Sequence, residues 1–203
     1  MTEPSALHSS SSHPNSHPKS PPNSNHNSLL YSNHLERELR SDHAGETGAV
    51  YIYRGIVAVA KLKRSPELID FAMRHAATEE EHLALIESIL EPRLRSRLLF
   101  AWRVAGWLTG ALPALFGPKS TFGTIAAVET FVEQHYQQQI DHLKETQEHQ
   151  ELLNLLIQCQ ADEIHHKNEA KSLVNGSGSM LLRLWCWLVG HGSAAAVSLA
   201  RRI

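Results

Sequence analysis

The chain has 203 residues and a formal net charge of −2, enough length for one domain with a buried core. It lacks the basic surplus that proteins binding nucleic acid usually carry, so we expect no nucleic-acid partner. Cysteine is scarce, with only Cys159 and Cys186, which excludes a disulfide-dense scaffold and is typical of a reduced cytosolic protein.

The N-terminal residues differ in composition from everything after them. Ser, Pro, His and Asn supply 22 of residues 1–28, and such a segment cannot bury enough apolar surface to offset its ordering entropy. It has no apolar stretch typical of a secretory signal and no arginine typical of a mitochondrial transit peptide. We therefore predict a disordered tail over 1–30 and one helical domain over 31–203.

Helix signals dominate the rest of the chain, and no strand or hairpin signal appears. A first helix is predicted from about Ser32 to Lys63. Ser65-Pro66-Glu67 has the order of residues that begins a helix, and this second helix is predicted to run to about Leu90, before Pro92.

Two further long helices are predicted from about 120 to 148 and from about 150 to 173, with a break at 175–178. The stretches 97–117 and 180–201 are apolar on most sides. These elements predict an all-α fold: a ferritin-like four-helix bundle with two additional short apolar helices.

The chain carries the same motif twice. Glu79 and His82 form one Glu-x-x-His pair and Glu163 and His166 form another, and residues three apart share a helix face. A lone glutamate precedes each pair by a similar interval: Glu46 lies 33 residues before Glu79, and Glu129 lies 34 before Glu163. A tyrosine follows each lone glutamate by seven residues, at Tyr53 and Tyr136. This is a degenerate repeat of two helical hairpins.

Helical rise places the repeated residues at one level. From each lone glutamate the chain climbs to the end of its helix and descends a similar distance to the Glu-x-x-His pair, at about 1.5 Å per residue. Four carboxylates and two imidazoles are therefore predicted to meet at mid-bundle, the arrangement of ferritin-like di-iron and di-manganese proteins. Such a set suits iron or manganese, and with room for bridging carboxylates it favours oxygen activation by two iron ions.

The sequence around these residues resembles the 3-demethoxyubiquinol hydroxylase family, di-iron monooxygenases of ubiquinone biosynthesis. The resemblance covers about residues 33–203, and its most distinctive part is Ala44-Gly45-Glu46 with Gly48-Ala49. It continues through 79–82, Val128-Glu129, His135-Tyr136 and 162–166. Position by position, it implies the same six metal ligands as the repeat: Glu46, Glu79, His82, Glu129, Glu163 and His166. Thr130 departs from the family, where a second acid often follows the glutamate.

This resemblance implies a function. We expect a di-iron monooxygenase that uses O2 to hydroxylate the ring of a polyprenylated demethoxyubiquinol. We also expect peripheral association with the cytoplasmic face of a bacterial inner membrane and contacts with other ubiquinone-biosynthesis proteins. The electrons are expected from an external reductant, either a partner protein or a diffusing molecule, or through the quinone itself. No Gly-x-Gly-x-x-Gly motif marks a nicotinamide-binding domain.

Several residues near the ligands have two interpretations. Tyr136 and Tyr53 either anchor a quinone ring or cap the core, and His135 matches the family but lies off the ligand face. Asp162 is either a hydrogen-bond partner of a ligand histidine or a surface acid. Gly45 and Gly48 indicate either close helix packing or room for a substrate. Four other residues are expected to face solvent or neighbouring side chains: Glu80, Glu81, His75 and His142; His165 is not expected to bind metal.

The two apolar stretches also allow two interpretations. Each is nearly long enough to span a bilayer, but Arg103, Pro113, Arg183 and His191 interrupt them. Four tryptophans and nearby arginines favour attachment in the plane of the membrane, and burial in a dimer interface is the alternative. The functional alternatives are a ferroxidase, a rubrerythrin-like peroxidase and a non-enzymatic helical scaffold.

Overall fold

A computed structural model describes residues 31–174, 176 and 178–203. The predicted tail 1–30, together with Asn175 and Ser177 of the predicted break, lies outside the described residues. All regular structure in the described part is helical, which confirms the all-α prediction. The helices are α1 (Asn33–Lys63), α2 (Pro66–Ile89), a 3-10 turn (Pro92–Leu94), α3 (Leu99–Leu115), α4 (Pro118–Thr146), α5 (Gln150–Leu173) and α6 (Met180–Ala200).

The helix ends differ from the predicted ones by a few residues, for local reasons. Helix α4 begins at Pro118 because Gly117, with φ of 98°, turns the chain and proline is preset for the first helical position. It ends at Thr146, since Gln147 and His149 both adopt left-handed backbone conformations in the tight turn to α5. At the start of α2, Ser65 occupies the capping position without a side-chain hydrogen bond.

The four long helices form two hairpins, α1 with α2 and α4 with α5, and α2 and α5 also touch. Apolar side chains fill the bundle in two separate layers. One layer surrounds Ile56, Phe71 and Phe122, and the other surrounds Leu39 and Ile140. The repeated glutamates and histidines lie between the two along each helix, so the bundle has a polar layer enclosed by two apolar ones.

Helix α3 packs directly on α1 through glycines. A Cβ atom on Gly106 would lie 2.3 Å from the carbonyl oxygen of Gly48, and one on Gly110 would lie 1.9 Å from that of Ile52. A Cβ atom on Gly55 of α1 would likewise meet the backbone of Trp107. The two backbones are therefore in contact at this crossing, and no larger residue fits there.

Helix α6 lies mainly against α4, so α3 and α6 both cover the α1–α4 side of the bundle. Trp185 donates a hydrogen bond to Thr124, and Trp102 donates one to Ser96. These two indoles are therefore partly buried, whereas Trp107 and Trp187 are exposed.

The outer surfaces of α3 and α6 are strongly apolar. Phe100, Phe116 and Met180 are about four-fifths exposed, at 79%, 81% and 87%. By length and composition α6 could cross a membrane, and none of its apolar window is buried. An exposed apolar surface of this kind is uncommon on soluble proteins, and it indicates a contact with lipid or with another protein.

Candidate metal centre

The six predicted ligands converge in the middle of the bundle, one lone glutamate on each of α1 and α4 and one Glu-x-x-His pair on each of α2 and α5. Their donor atoms form two groups, each spanning at most 4.8 Å. The first contains Glu46, Glu79, His82 and Glu163, and the second contains Glu79, Glu129, Glu163 and His166. Glu79 and Glu163 belong to both groups, so the same two residues would contribute to both sites if each group held an ion.

The two histidines point the same nitrogen inward. Nδ1 of His82 lies 3.1 Å from Glu163 and 3.7 Å from Glu46. Nδ1 of His166 lies 3.1 Å from Glu79 and 3.5 Å from Glu163. Each histidine thus faces the carboxylates of the opposite hairpin as well as those of its own.

The protein leaves this cluster without internal partners. All six side chains are at least 95% buried. Hydrogen-bond partners are absent, among the described residues, for both carboxylate oxygens of Glu79 and Glu163, for Oε2 of Glu46 and for Nδ1 of both histidines. Such groups are costly to bury unpaired, and four carboxylates with two imidazoles are donors that suit a pair of divalent iron or manganese ions. The residues present therefore fit a two-metal centre.

Electrostatics within the cluster are unequal. Burial, followed by repulsion from Glu163, raises the pKa of Glu79 and of Glu129 well above the usual value. Burial opposes ionisation of Glu163 too, but the neighbouring imidazoles of His166 and His82 lower its pKa to about 2. Glu163 therefore ionises more readily than Glu79 and Glu129.

The two repeated tyrosines each serve the glutamate of the other half. Tyr53 of α1 donates a hydrogen bond of 3.0 Å to Glu129 of α4, and Tyr136 of α4 donates one of 2.5 Å to Glu46 of α1. Burial, followed by repulsion from these carboxylates, raises the pKa of both phenols well above the usual value. Both tyrosines are therefore neutral donors, and the hydroxyl of Tyr136 directs its hydrogen at Glu46.

The outer faces of the ligand histidines have different neighbours. Nε2 of His82 lies 3.2 Å from Asp162, one of the two arrangements considered for that acid. His166 packs edge-on against His75, with ring centroids 4.1 Å apart, and His75 in turn bonds Glu169. His75 is buried, and burial lowers its pKa to about 4. Its position, one turn before Glu79 on the ligand face, was the sequence signal for this contact.

His135 lies beside the centre within a network of its own. Its Nε2 lies 2.9 Å from Asp42, and its Nδ1 lies 3.4 Å from the guanidinium of Arg201 on the C-terminal side of α6. Arg201 is itself bonded to Glu38. Both ring nitrogens of His135 are thus engaged, which fixes the ring against the wall of a cavity.

That cavity, of about 580 Å³, connects the polar layer with the α3 and α6 helices. Its floor includes Glu46, Glu79, Glu129 and Glu163, and Tyr136 and His135 stand at its wall. Gly45 and Gly48 also line it, and a Cβ atom on either would meet nothing within 4 Å. Both interpretations of Gly48 hold, because its backbone contacts Gly106 while its Cα faces the open cavity.

The remaining sequence candidates lie away from the centre. Glu80 and Glu81 are exposed, and Glu80 pairs with Arg54. The side chain of His165 is 71% exposed and lies 3.8 Å from Glu169. His142 contacts His34 edge-on, and both cysteines are free thiols.

Comparison with known proteins agrees with this geometry. The family model for ubiquinone biosynthesis protein COQ7 matches residues 33–200. The chain belongs to this family. All six ligand candidates and both tyrosines lie within the matched region.

Relatives in the COQ7 family come from several organisms. The chain is 35% identical to the NADPH-dependent 3-demethoxyubiquinone 3-hydroxylase of Dictyostelium discoideum over 136 residues, covering 65% of this chain and 61% of that protein. It is 28% identical to the enzyme of that name from Caenorhabditis elegans over 173 residues, 83% and 90% of the two chains. It is 40% identical to the 3-demethoxyubiquinol 3-hydroxylase of Rhodospirillum rubrum over 111 residues, 54% and 51%. The chain thus spans about three-fifths of the first relative and half of the third.

Proposed function

We propose that this chain hydroxylates the ring of a polyprenylated demethoxyubiquinol in ubiquinone biosynthesis, using two iron ions and O2. The observation that carries the proposal is the cavity, which is lined by apolar side chains and has four of the clustered carboxylates at its floor. A flat apolar ring with polar substituents suits such a site, in which a few polar groups converge within apolar walls. The names of the relatives supply the reaction and the substrate class.

In this proposal the six clustered residues hold the metals, and Glu79 and Glu163 are shared between the two positions. When bound, the irons supply the activation of O2. The protein supplies the rest. Its apolar layers exclude water from the carboxylates, and the phenol groups of Tyr53 and Tyr136 fix the orientation of the two unshared glutamates.

The ring is oriented by the cavity walls. Gly45 and Gly48 leave space against α1, while His135 stands on the α4 side, held in place by Asp42 and Arg201. The cavity is also lined by α3 and α6, through Trp102 and Leu188 among others. A prenyl tail would leave between these two helices, toward their apolar outer surfaces.

Membrane attachment follows from the same surfaces. We propose that α3 and α6 lie in the plane of the bilayer, because each keeps one face on the bundle and exposes large apolar side chains on the other. The cytoplasmic face of a bacterial membrane is part of this proposal, although several relatives are named as mitochondrial proteins. Burial of the two helices between copies of the chain is the competing arrangement.

The electrons come from outside the chain in this proposal. Several relatives are named NADPH-dependent, which makes a reduced nicotinamide the first reductant to test. A ferroxidase gains no support from the structure, because iron oxidation requires neither an apolar cavity nor exposed apolar helices. A rubrerythrin-like peroxidase with a four-cysteine module is excluded by a sequence that contains only two cysteines.

A single experiment tests the proposal. The full-length protein is purified anaerobically, loaded with ferrous iron and mixed with a short-chain demethoxyubiquinol, NADPH and 18O2. We expect about two irons per chain and a hydroxylated product that carries one 18O atom. Iron uptake without product would contradict the hydroxylase assignment, and no iron uptake would contradict the metal centre itself.

A further inference from the structure

The two candidate metal positions are not equivalent, although both halves of the chain carry the same Glu-x-x-His motif. The residue immediately before the Glu-x-x-His pair differs between the halves, and in the second half it lies 3.2 Å from the outer nitrogen of the opposite half's ligand histidine, His82. That residue is Asp162 in the second half and Thr78 in the first. One position of the repeat therefore offers a carboxylate and the other a neutral hydroxyl.

The contacts of the histidines reflect this difference. With Nδ1 of His82 facing the cluster, its Nε2 carries the hydrogen and donates it to Asp162 at 3.2 Å. His166 also turns Nδ1 inward, but the described residues provide no hydrogen-bond partner for its Nε2. Its ring is instead held by the edge-on contact with His75.

A carboxylate on the outer nitrogen changes what an imidazole does for a metal. The hydrogen bond fixes the tautomer and ring orientation, and the negative charge makes the inner nitrogen a stronger donor. Loss of such a partner typically lowers metal affinity by about 10-fold to 100-fold. Because the side chain of Asp162 is 44% exposed, solvent screens its charge, and the lower end of that range applies.

We infer that the two metal ions bind in a fixed order, with the position made by Glu46 and His82 filled first and the position made by Glu129 and His166 filled second. This inference rests on the proposed function only in that both positions bind divalent iron. Asp162 acts in it as a positioning residue, through His82, and not as a ligand.

Stepwise anaerobic titration of the metal-free full-length protein with Fe2+, monitored by calorimetry, tests the order of binding. The informative variant is Asp162→Asn, which keeps the shape of the side chain and removes its charge. If the His82 position fills first, this variant weakens the first binding step by about fivefold to tenfold and the second by less than about twofold.

Equivalent positions would give the opposite pattern. The first ion would then simply enter the His166 position of Asp162→Asn, and the loss would appear in the second step. A loss confined to the second step, an equal loss in both, or no loss in either would overturn the inference. If the unmodified protein took up no Fe2+ at all, the proposed metal centre would fail first, and that result is distinguishable from these three.

The reciprocal variant, Thr78→Asp, places a carboxylate at the position of the repeat that corresponds to Asp162. It should tighten the second step and leave the first unchanged, so that the two steps draw together. Thermal melting of the metal-free variants checks that the bundle is intact. A tightened first step, or an unchanged second step in a folded protein, would count against the assignment.

Discussion

The four-helix bundle and the α3–α6 pair differ in where they place polar and apolar side chains. Inside the bundle, charged and polar side chains form a buried layer, and the outer faces carry solvated charges such as Glu80 with Arg54. In α3 and α6 the apolar side chains face outward and the polar groups, such as the indole nitrogens of Trp102 and Trp185, face inward. The cavity lies where the two arrangements meet. A reaction on an apolar molecule at a charged centre requires such a junction.

The largest expected effect is the loss of iron when a residue common to both groups is removed, compared with the loss when a residue of only one group is removed. Glu163→Ala removes a residue common to both groups and should abolish binding of both irons, together with all oxygen-dependent turnover. His166→Ala removes a ligand of one group and should leave about half the iron. Iron analysis after gel filtration measures both, and His165→Ala, at a 71% exposed neighbour, is the matched control. Full iron occupancy in both ligand variants would refute the assignment.

Charged substitutions at exposed apolar residues test whether α3 and α6 contact the membrane. Phe100→Asp with Leu181→Asp places charges on α3 and α6 at sites that are 79% and 78% exposed. Each lost apolar contact costs about 1.5–3 kcal/mol of membrane binding, so binding should fall by about tenfold to a hundredfold for each change. Flotation with liposomes measures this.

A matched control distinguishes lipid contact from general surface charge. Met73→Asp alters a residue that is 56% exposed but lies on α2, which packs against α1 and α5, and should leave liposome binding unchanged. If the double variant still floated with liposomes but lost a dimer in sedimentation analysis, the competing interface would be correct.

Two glycines where α1 meets α3 allow a sharper comparison between substrate binding and helix packing. Gly48→Leu points into the cavity, where a Cβ atom meets nothing, and should keep iron and thermal stability while preventing quinol binding. Gly110→Ala instead places a Cβ atom 1.9 Å from the carbonyl oxygen of Ile52 and should lower the free energy of unfolding by about 1–3 kcal/mol. Thermal melting and quinol titration of both variants check this, and a stable Gly110→Ala would show that the helices can separate.

The smallest expected effect concerns the hydroxyl of Tyr136. Tyr136→Phe removes the donor to Glu46 and should lower the free energy of unfolding of the metal-free protein by about 0.5–1.5 kcal/mol, the usual net value of one hydrogen bond. Quinol affinity should be unchanged, because the hydroxyl is committed to Glu46. Weaker quinol binding at unchanged stability would show that the hydroxyl serves the ring instead.

Sequence predicted the polar layer far better than the outer pair. Spacing alone located Glu46, Glu79, His82, Glu129, Glu163 and His166, because helical rise and the hairpin repeat fix their heights. It did not predict that α3 crosses α1 in backbone contact, although Gly106 and Gly110, four residues apart in an apolar helix, carried that signal. The tyrosine partners were also not predicted, since a bond across the bundle depends on helix rotation and not on spacing along one helix.

The crossed tyrosines have a consequence for how this sequence can vary. Tyr53 and Glu129 are 76 residues apart, and Tyr136 and Glu46 are 90 apart, yet each pair is one structural unit. A change at either tyrosine therefore removes or alters a hydrogen bond to a glutamate in the other half of the chain. We therefore expect the effects of substitutions at a tyrosine and at its partner glutamate to be coupled and not additive.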